Sequence, residues 1–122
     1  MTGELRQLAG RPAFVCADDG PLLASERDAT DIIGETLGAD AGLVVIPVAR
    51  LGQDFFELRT RLAGEMLQKF VNYRRRVAIV GDISAQVEAS EALRDFVRES
   101  NRGGSVWFVP DLQELERRLA GA

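Results

Sequence analysis

The chain has 122 residues, 46% of them hydrophobic, and a formal net charge of −4; that is enough for one sizeable core, and the negative balance opposes broad adhesion to nucleic acid or anionic lipid. It contains no histidine, which removes the commonest general base near neutral pH, the usual serine and cysteine triads and most zinc sites. No apolar run is long enough to span a bilayer, and the opening MTGELRQLAG lacks a signal-peptide core, so a cytoplasmic, membrane-free protein is expected.

In chain order, Glu4–Leu8 and Arg11–Ala17 flank Ala9-Gly10 and predict a β-hairpin, because Gly10 permits the positive φ of a tight turn. The only cysteine, Cys16, falls in the apolar run Ala13–Ala17 and reads as a buried, reduced thiol. After Asp18-Asp19-Gly20-Pro21, Ser25 caps a predicted helix over Glu26 to Leu37, with Ala29, Ile32, Ile33 and Leu37 on one face and Gly38 as its stop. Gly42–Pro47 is a continuous β-branched run of the kind found in the centre of a parallel sheet.

A second helix is predicted from Asp54, as its cap, to about Phe70. Its stripe is Phe55, Leu58, Leu62, Met66, Leu67 and Phe70, with Glu57–Arg61 and Glu65–Lys69 as i,i+4 pairs. Val77–Val80 is the next strand, and Ser90 starts a helix that ends at Asn101-Arg102-Gly103-Gly104. Val106–Val109 is the last strand, and Asp111 with Glu114 has the spacing of a capping box for a final helix. The order ββαβαβαβα predicts a single α/β domain with a mixed, mostly parallel sheet, an antiparallel first strand at or near one edge, and two or three layers.

The runs Phe55–Thr60, Ala63–Phe70, Asn72-Tyr73-Arg74, Ala78–Asp82, Leu93–Phe96 and Glu99-Ser100-Asn101 resemble the bacterial domain-of-unknown-function 4180 family. The resemblance covers about the latter two thirds of the chain and implies a small α/β domain with no established activity. By element order alone the chain is also similar to STAS domains, the regulatory modules typified by anti-sigma-factor antagonists. It departs from them at Val48–Gln53, which lacks the Asp-Ser pair of their phosphorylation switch.

Open α/β sheets place chemistry beyond the carboxyl ends of their strands. That end collects Asp18, Asp19 and Gly20, then Arg50 and Asp54, then Gly81, Asp82 and Ser84. Asp18, Asp19, Asp54 and Asp82 could hold a hard cation such as magnesium, with Arg50 or Arg59 stabilising an anion, as in a receiver-like or phosphoryl-transfer domain. Against this, no Asp ends the central strand, no Lys follows the last one, and Gly81-Asp82 lacks the second glycine and the lysine of a P-loop.

Asp54, Arg59, Gly64, Asp82 and Ser84 are the candidate ligand-binding residues, Gly64 because a mid-helix glycine suggests a close approach to the backbone. Arg74-Arg75-Arg76 is the basic cluster; at a helix C-terminus it complements the dipole, so nucleic-acid binding is not expected. Glu99 and Asn101 are assigned to salt bridges or loop-fixing hydrogen bonds. Trp107 and Phe108 point to opposite sides of the last strand, so either helices cover both faces or one ring marks an interface. The expectation is a non-enzymatic regulatory or protein-interaction module without a cofactor. It would bind a protein partner or itself, as a homodimer through the last strand or final helix, with a small-molecule ligand possible and a metal-dependent enzyme as the rival.

Overall fold

The computed structural model describes residues 3–121 as one α/β domain. Strands β1 (Gly3–Leu8) and β2 (Arg11–Cys16) form the expected hairpin, closed by Ala9 at φ 51° and Gly10 at φ 77°. Two successive positive φ values make this the turn type whose twist matches paired strands. Helix α1 (Glu26–Leu37) begins at Ser25, whose hydroxyl accepts from the Asp28 amide. Strands β3 (Leu43–Pro47), β4 (Arg76–Val80) and β5 (Val106–Val109) follow in parallel with β2, and the sheet order is β1-β2-β3-β4-β5. β3 is central, and the antiparallel β1 forms one edge.

Alternation along the strands divides the core by face. Phe14, Cys16, Val44, Ile46, Val77, Ile79 and Phe108 pack under α1, α3 (Leu62–Asn72) and α5 (Glu91–Arg102). Ala13, Leu43, Val45, Ala78, Trp107 and Val109 point the other way, where Leu115 and Leu119 of α6 (Leu112–Ala120) meet them. The domain is three-layered, and its third layer is a single helix. The cap of α6 is Asp111, which accepts from the Glu114 amide; the Glu114 carboxylate turns to Arg117 instead of closing the capping box.

The second predicted helix is interrupted. A short α2 (Gln53–Phe56) and a 3₁₀ turn (Leu58–Thr60) precede Arg61, at φ 66°, and only then does α3 begin. Before the break, the Phe55 and Phe56 rings at the end of α2 are both buried and meet edge-to-face at 5.2 Å. Thr60 fixes the break by donating its hydroxyl to the Asp54 and Glu57 carbonyls. The ion pairs shift with it: Glu57 meets Arg59 rather than Arg61, and Lys69 meets Glu26 rather than Glu65.

A further short helix, α4 (Ser84–Ala89), occupies a stretch expected as loop. It buries no residue fully, which is why its apolar period is too faint to read. Trp107 and Phe108 are both covered, each 7% exposed, so helices protect both faces of β5 and neither ring marks an interface.

Gly64 lies on α3 with its α-carbon turned to open space, and a β-carbon there would meet nothing within 4 Å. The close approach expected from its position is absent. Gly64→Ala therefore raises stability by about 0.5–1 kcal/mol, the helix-propensity difference at an exposed site, as chemical denaturation would measure; a loss would reveal a backbone contact.

Candidate functional site

At the carboxyl end of the sheet the dominant side chain is Arg50. It is 2% exposed, and its Nε donates to the Pro21 carbonyl at 2.7 Å while a terminal nitrogen donates to Ala17 at 2.8 Å. Gly20 lies beneath the guanidinium, where a β-carbon would come within 2.7 Å of its central carbon. The Leu23 amide donates to the Arg50 carbonyl at 2.8 Å, so the loops after β2 and β3 are tied by side chain and backbone alike. Arg50 is thereby occupied in holding loops rather than poised to meet an anion.

The acidic residues expected around it do not converge. Asp18, Asp19, Asp54 and Asp82 are all exposed, and among the described residues no three carboxylates or thiols gather closely enough to hold a metal ion. Asp54 sits in the first turn of α2, where Gly52 is the capping residue, and its carboxylate caps nothing there. Asp82 accepts from the Ser84 amide at 2.9 Å and starts α4. Hydrogen bonds from Ser84, side chain first and backbone second, hold its carboxyl below the usual range. Gly81, at φ 146°, has a β-carbon position 2.8 Å from Val48 and permits this turn.

The other candidates lie elsewhere. Arg59 is on the surface beside Glu57, and Gly64 is on the outer face of α3. Of the basic run, Arg75 donates to the Thr36 hydroxyl at 2.9 Å. Arg76 donates to the Gly104 carbonyl at 2.9 Å, and it lies 4.3 Å from the centre of the Trp107 ring, with Arg118 4.1 Å from the same ring. Burial, then the neighbouring Arg11 and Arg118, lower the Arg76 pKa. Two of the three arginines thus tie helix and strand ends together. Glu99 pairs with Arg102, and Asn101 bonds both backbone groups of Phe108, accepting at 2.7 Å and donating at 3.2 Å.

A broad concavity lies on the sheet face that α6 only partly covers. α6 packs over β4 and β5, and beside it a groove of about 610 Å³ opens over β1, β2 and β3. Val15, Val45, Pro47, Val80 and Leu112 make its apolar lining, with Glu4, Arg6 and Asp18 as its charged members. Asp18 is the only predicted site residue that reaches it. Cys16 contributes to its wall, but the thiol is buried and its pKa is pushed to about 11. Burial is the main cause; Arg50 pulls the value down and Glu35 raises it. A thiol so held is protonated at neutral pH and is a poor nucleophile. The groove thus has an apolar floor with charged residues of both signs among its lining.

A family model described as Domain of unknown function (DUF4180) matches residues 8–119. The chain belongs to the DUF4180 family. No curated protein and no solved structure matches it. The runs that carry the family resemblance acquire structural reasons here. In this DUF4180 protein Gly81-Asp82 forms the turn into α4, Asn101 closes the outer side of β5, and Thr60 holds the break before α3. The groove escaped sequence reading because its lining comes a few residues at a time from four strands and α6.

Replacing Arg50 with Met in the DUF4180 domain leaves the Ala17 and Pro21 carbonyls without their donor and costs about 2–4 kcal/mol in denaturant titration; a smaller loss would show that water takes over both bonds. The Cys16 pKa lies above its ordinary value of 9.0, so the folded state holds this proton more tightly than the unfolded one. That contribution is complete below about pH 9 and is lost as pH rises toward the folded value. Stability of the parent should therefore fall more steeply than that of Cys16→Ala between about pH 9 and 11; parallel profiles would place the thiol in contact with solvent.

Proposed function

We propose that this protein is a non-enzymatic regulatory module of the bacterial cytoplasm that binds a partner protein through the groove beside α6. One observation carries the reading: a half-buried apolar floor lies open over β1, β2 and β3 beside α6. Uncovered strands about 4.8 Å apart leave about 10–14 Å, and a helix with its side chains is about 10–12 Å across. An amphipathic partner helix laid next to α6 would cover Val15, Pro47 and Val80, all half-buried, and complete the third layer. Its polar flank would meet Glu4, Arg6 and Asp18, which supply both signs of charge for orientation.

The likeness in element order to STAS regulatory modules agrees with this reading. The metal-dependent alternative draws no support from the geometry, because its four aspartates stand apart as exposed turn and helix-start residues.

The test is copurification from the native host followed by intact-mass analysis. A partner bound in fixed stoichiometry should be lost with Val15→Glu and with Pro47→Glu, kept with Arg59→Glu, and reproduced by one isolated amphipathic helix from that partner. Retention by both groove variants at unchanged melting temperature would overturn the assignment. So would a magnesium- or nucleotide-dependent rise in stability that Asp82→Asn abolishes.

A further inference from the structure

The two edges of the sheet are treated differently. β5 has four residues, and the outward amide and carbonyl of Phe108 are already bonded by the Asn101 side chain, which stands in for a neighbouring strand. β1 has six residues, contains neither proline nor lysine, and ends the strand order with no described residue paired to its outer side. An edge left in this state is a template for another strand.

Its hydrogen-bonding parity can be worked out. A two-residue turn closes on a hydrogen-bonded pair, here Leu8 with Arg11, so Leu8, Arg6 and Glu4 bond inward to β2. Pro12 stands opposite Gln7, and since proline has no N–H to give, that pair must be a non-bonded one. Both arguments turn the amides and carbonyls of Gly3, Leu5 and Gln7 outward.

From this we infer that the protein forms a two-fold dimer by antiparallel pairing of β1 with β1 of a second copy, centred on Leu5. The register follows from charge. A two-fold pairing must centre on a residue, because both members of a cross-strand pair share one bonding state. Centring on Glu4 or Arg6 would set like charges face to face. Centring on Leu5 pairs Leu5 with Leu5, Gly3 with Gln7, and Glu4 with Arg6 twice over. The two ion pairs then fall in non-hydrogen-bonded sites, where side chains stand closest. Leu5, 54% exposed in the single chain, gains an apolar partner on the helix-covered side. The interface uses the strand edge, while its two charged residues, Glu4 and Arg6, also line the groove.

The experiment is sedimentation equilibrium of the purified full chain together with charge reversal. The parent should dimerise in a concentration-dependent way, and slowed amide exchange should appear at Leu5 and Gln7 as dimer forms. Glu4→Arg alone and Arg6→Glu alone should each weaken association about tenfold or more, since each sets like charges opposite one another at two symmetric positions. The double variant should regain parental affinity, and a mixture of the two single variants should form a heterodimer. A misfolded single variant could not be rescued in these two ways. A chain that stays monomeric, or a dimer indifferent to both reversals, would overturn the proposal.

Discussion

A right-handed crossover that always steps to the next strand places every connecting helix on the same face of the sheet. β2, β3, β4 and β5 are laid down in sequence order, so the connecting helices α1, α3 and α5 are committed to one side, and α6, which connects nothing onward, is the single helix left for the other. The molecule's open surface follows directly. One helix cannot cover five strands; α6 settles over β4 and β5, and the remainder of that face stays exposed. Among the four parallel strands the order never reverses, so the sheet has no topological switch point of the kind that opens a crevice at the strand ends. The loops there close on one another through Arg50 and the Leu23 amide instead.

This arrangement also sorts charge. Each helix that follows a parallel strand returns antiparallel to it, so helix N-termini gather at the carboxyl end of the sheet and C-termini at the other. Glu26, Asp28, Asp54, Asp82 and Asp111 stand at or near the starts of helices, and Lys69, Arg74, Arg102, Arg117 and Arg118 at or near their ends. Each sign is stabilised where the opposite partial charge of the helix emerges. The modest net charge of −4 thus conceals an acidic end and a basic end. An acidic end of this origin looks in sequence like a set of cation ligands, yet its carboxylates are spread over separate helix starts.

Periodicity and capping made the fold largely legible. Ser25, Ser90 and Asp111 cap where their side-chain chemistry says they should, and the continuous β-branched run of β3 is central, as burial on both faces requires. Legibility ended where long-range contact outweighed local pattern. The stripe from Phe55 to Phe70 is compatible with one helix, and the break at Arg61, held by the Thr60 hydroxyl on the Asp54 and Glu57 carbonyls, leaves no mark in it. Gly64 stood out for the wrong reason, since a glycine can mark a tight contact or simply a tolerated loss of stability. Asn101 was rightly assigned to a structural hydrogen bond, but its role as a substitute strand beside Phe108 needed coordinates. Strand order, which decides where the groove lies, is a choice among topologies that leave nearly the same local signature.

The two surfaces that the fold leaves open are neighbours, and the pleat of β1 keeps them compatible. Glu4 and Arg6 project over the groove side, Leu5 projects to the helix side, and the outward peptide groups lie in the plane between them. Pairing at the edge consumes only that plane. It would lock Glu4 and Arg6 into cross-strand ion pairs along one wall of the groove while leaving the floor of Val15, Val45 and Val80 untouched. Two grooves would then lie side by side on one face of a continuous sheet, each bounded on its far side by its own α6. A partner helix in one groove would meet charges already ordered by the second copy, so self-association would reduce the entropy lost on binding and couple the two surfaces without any change in the core.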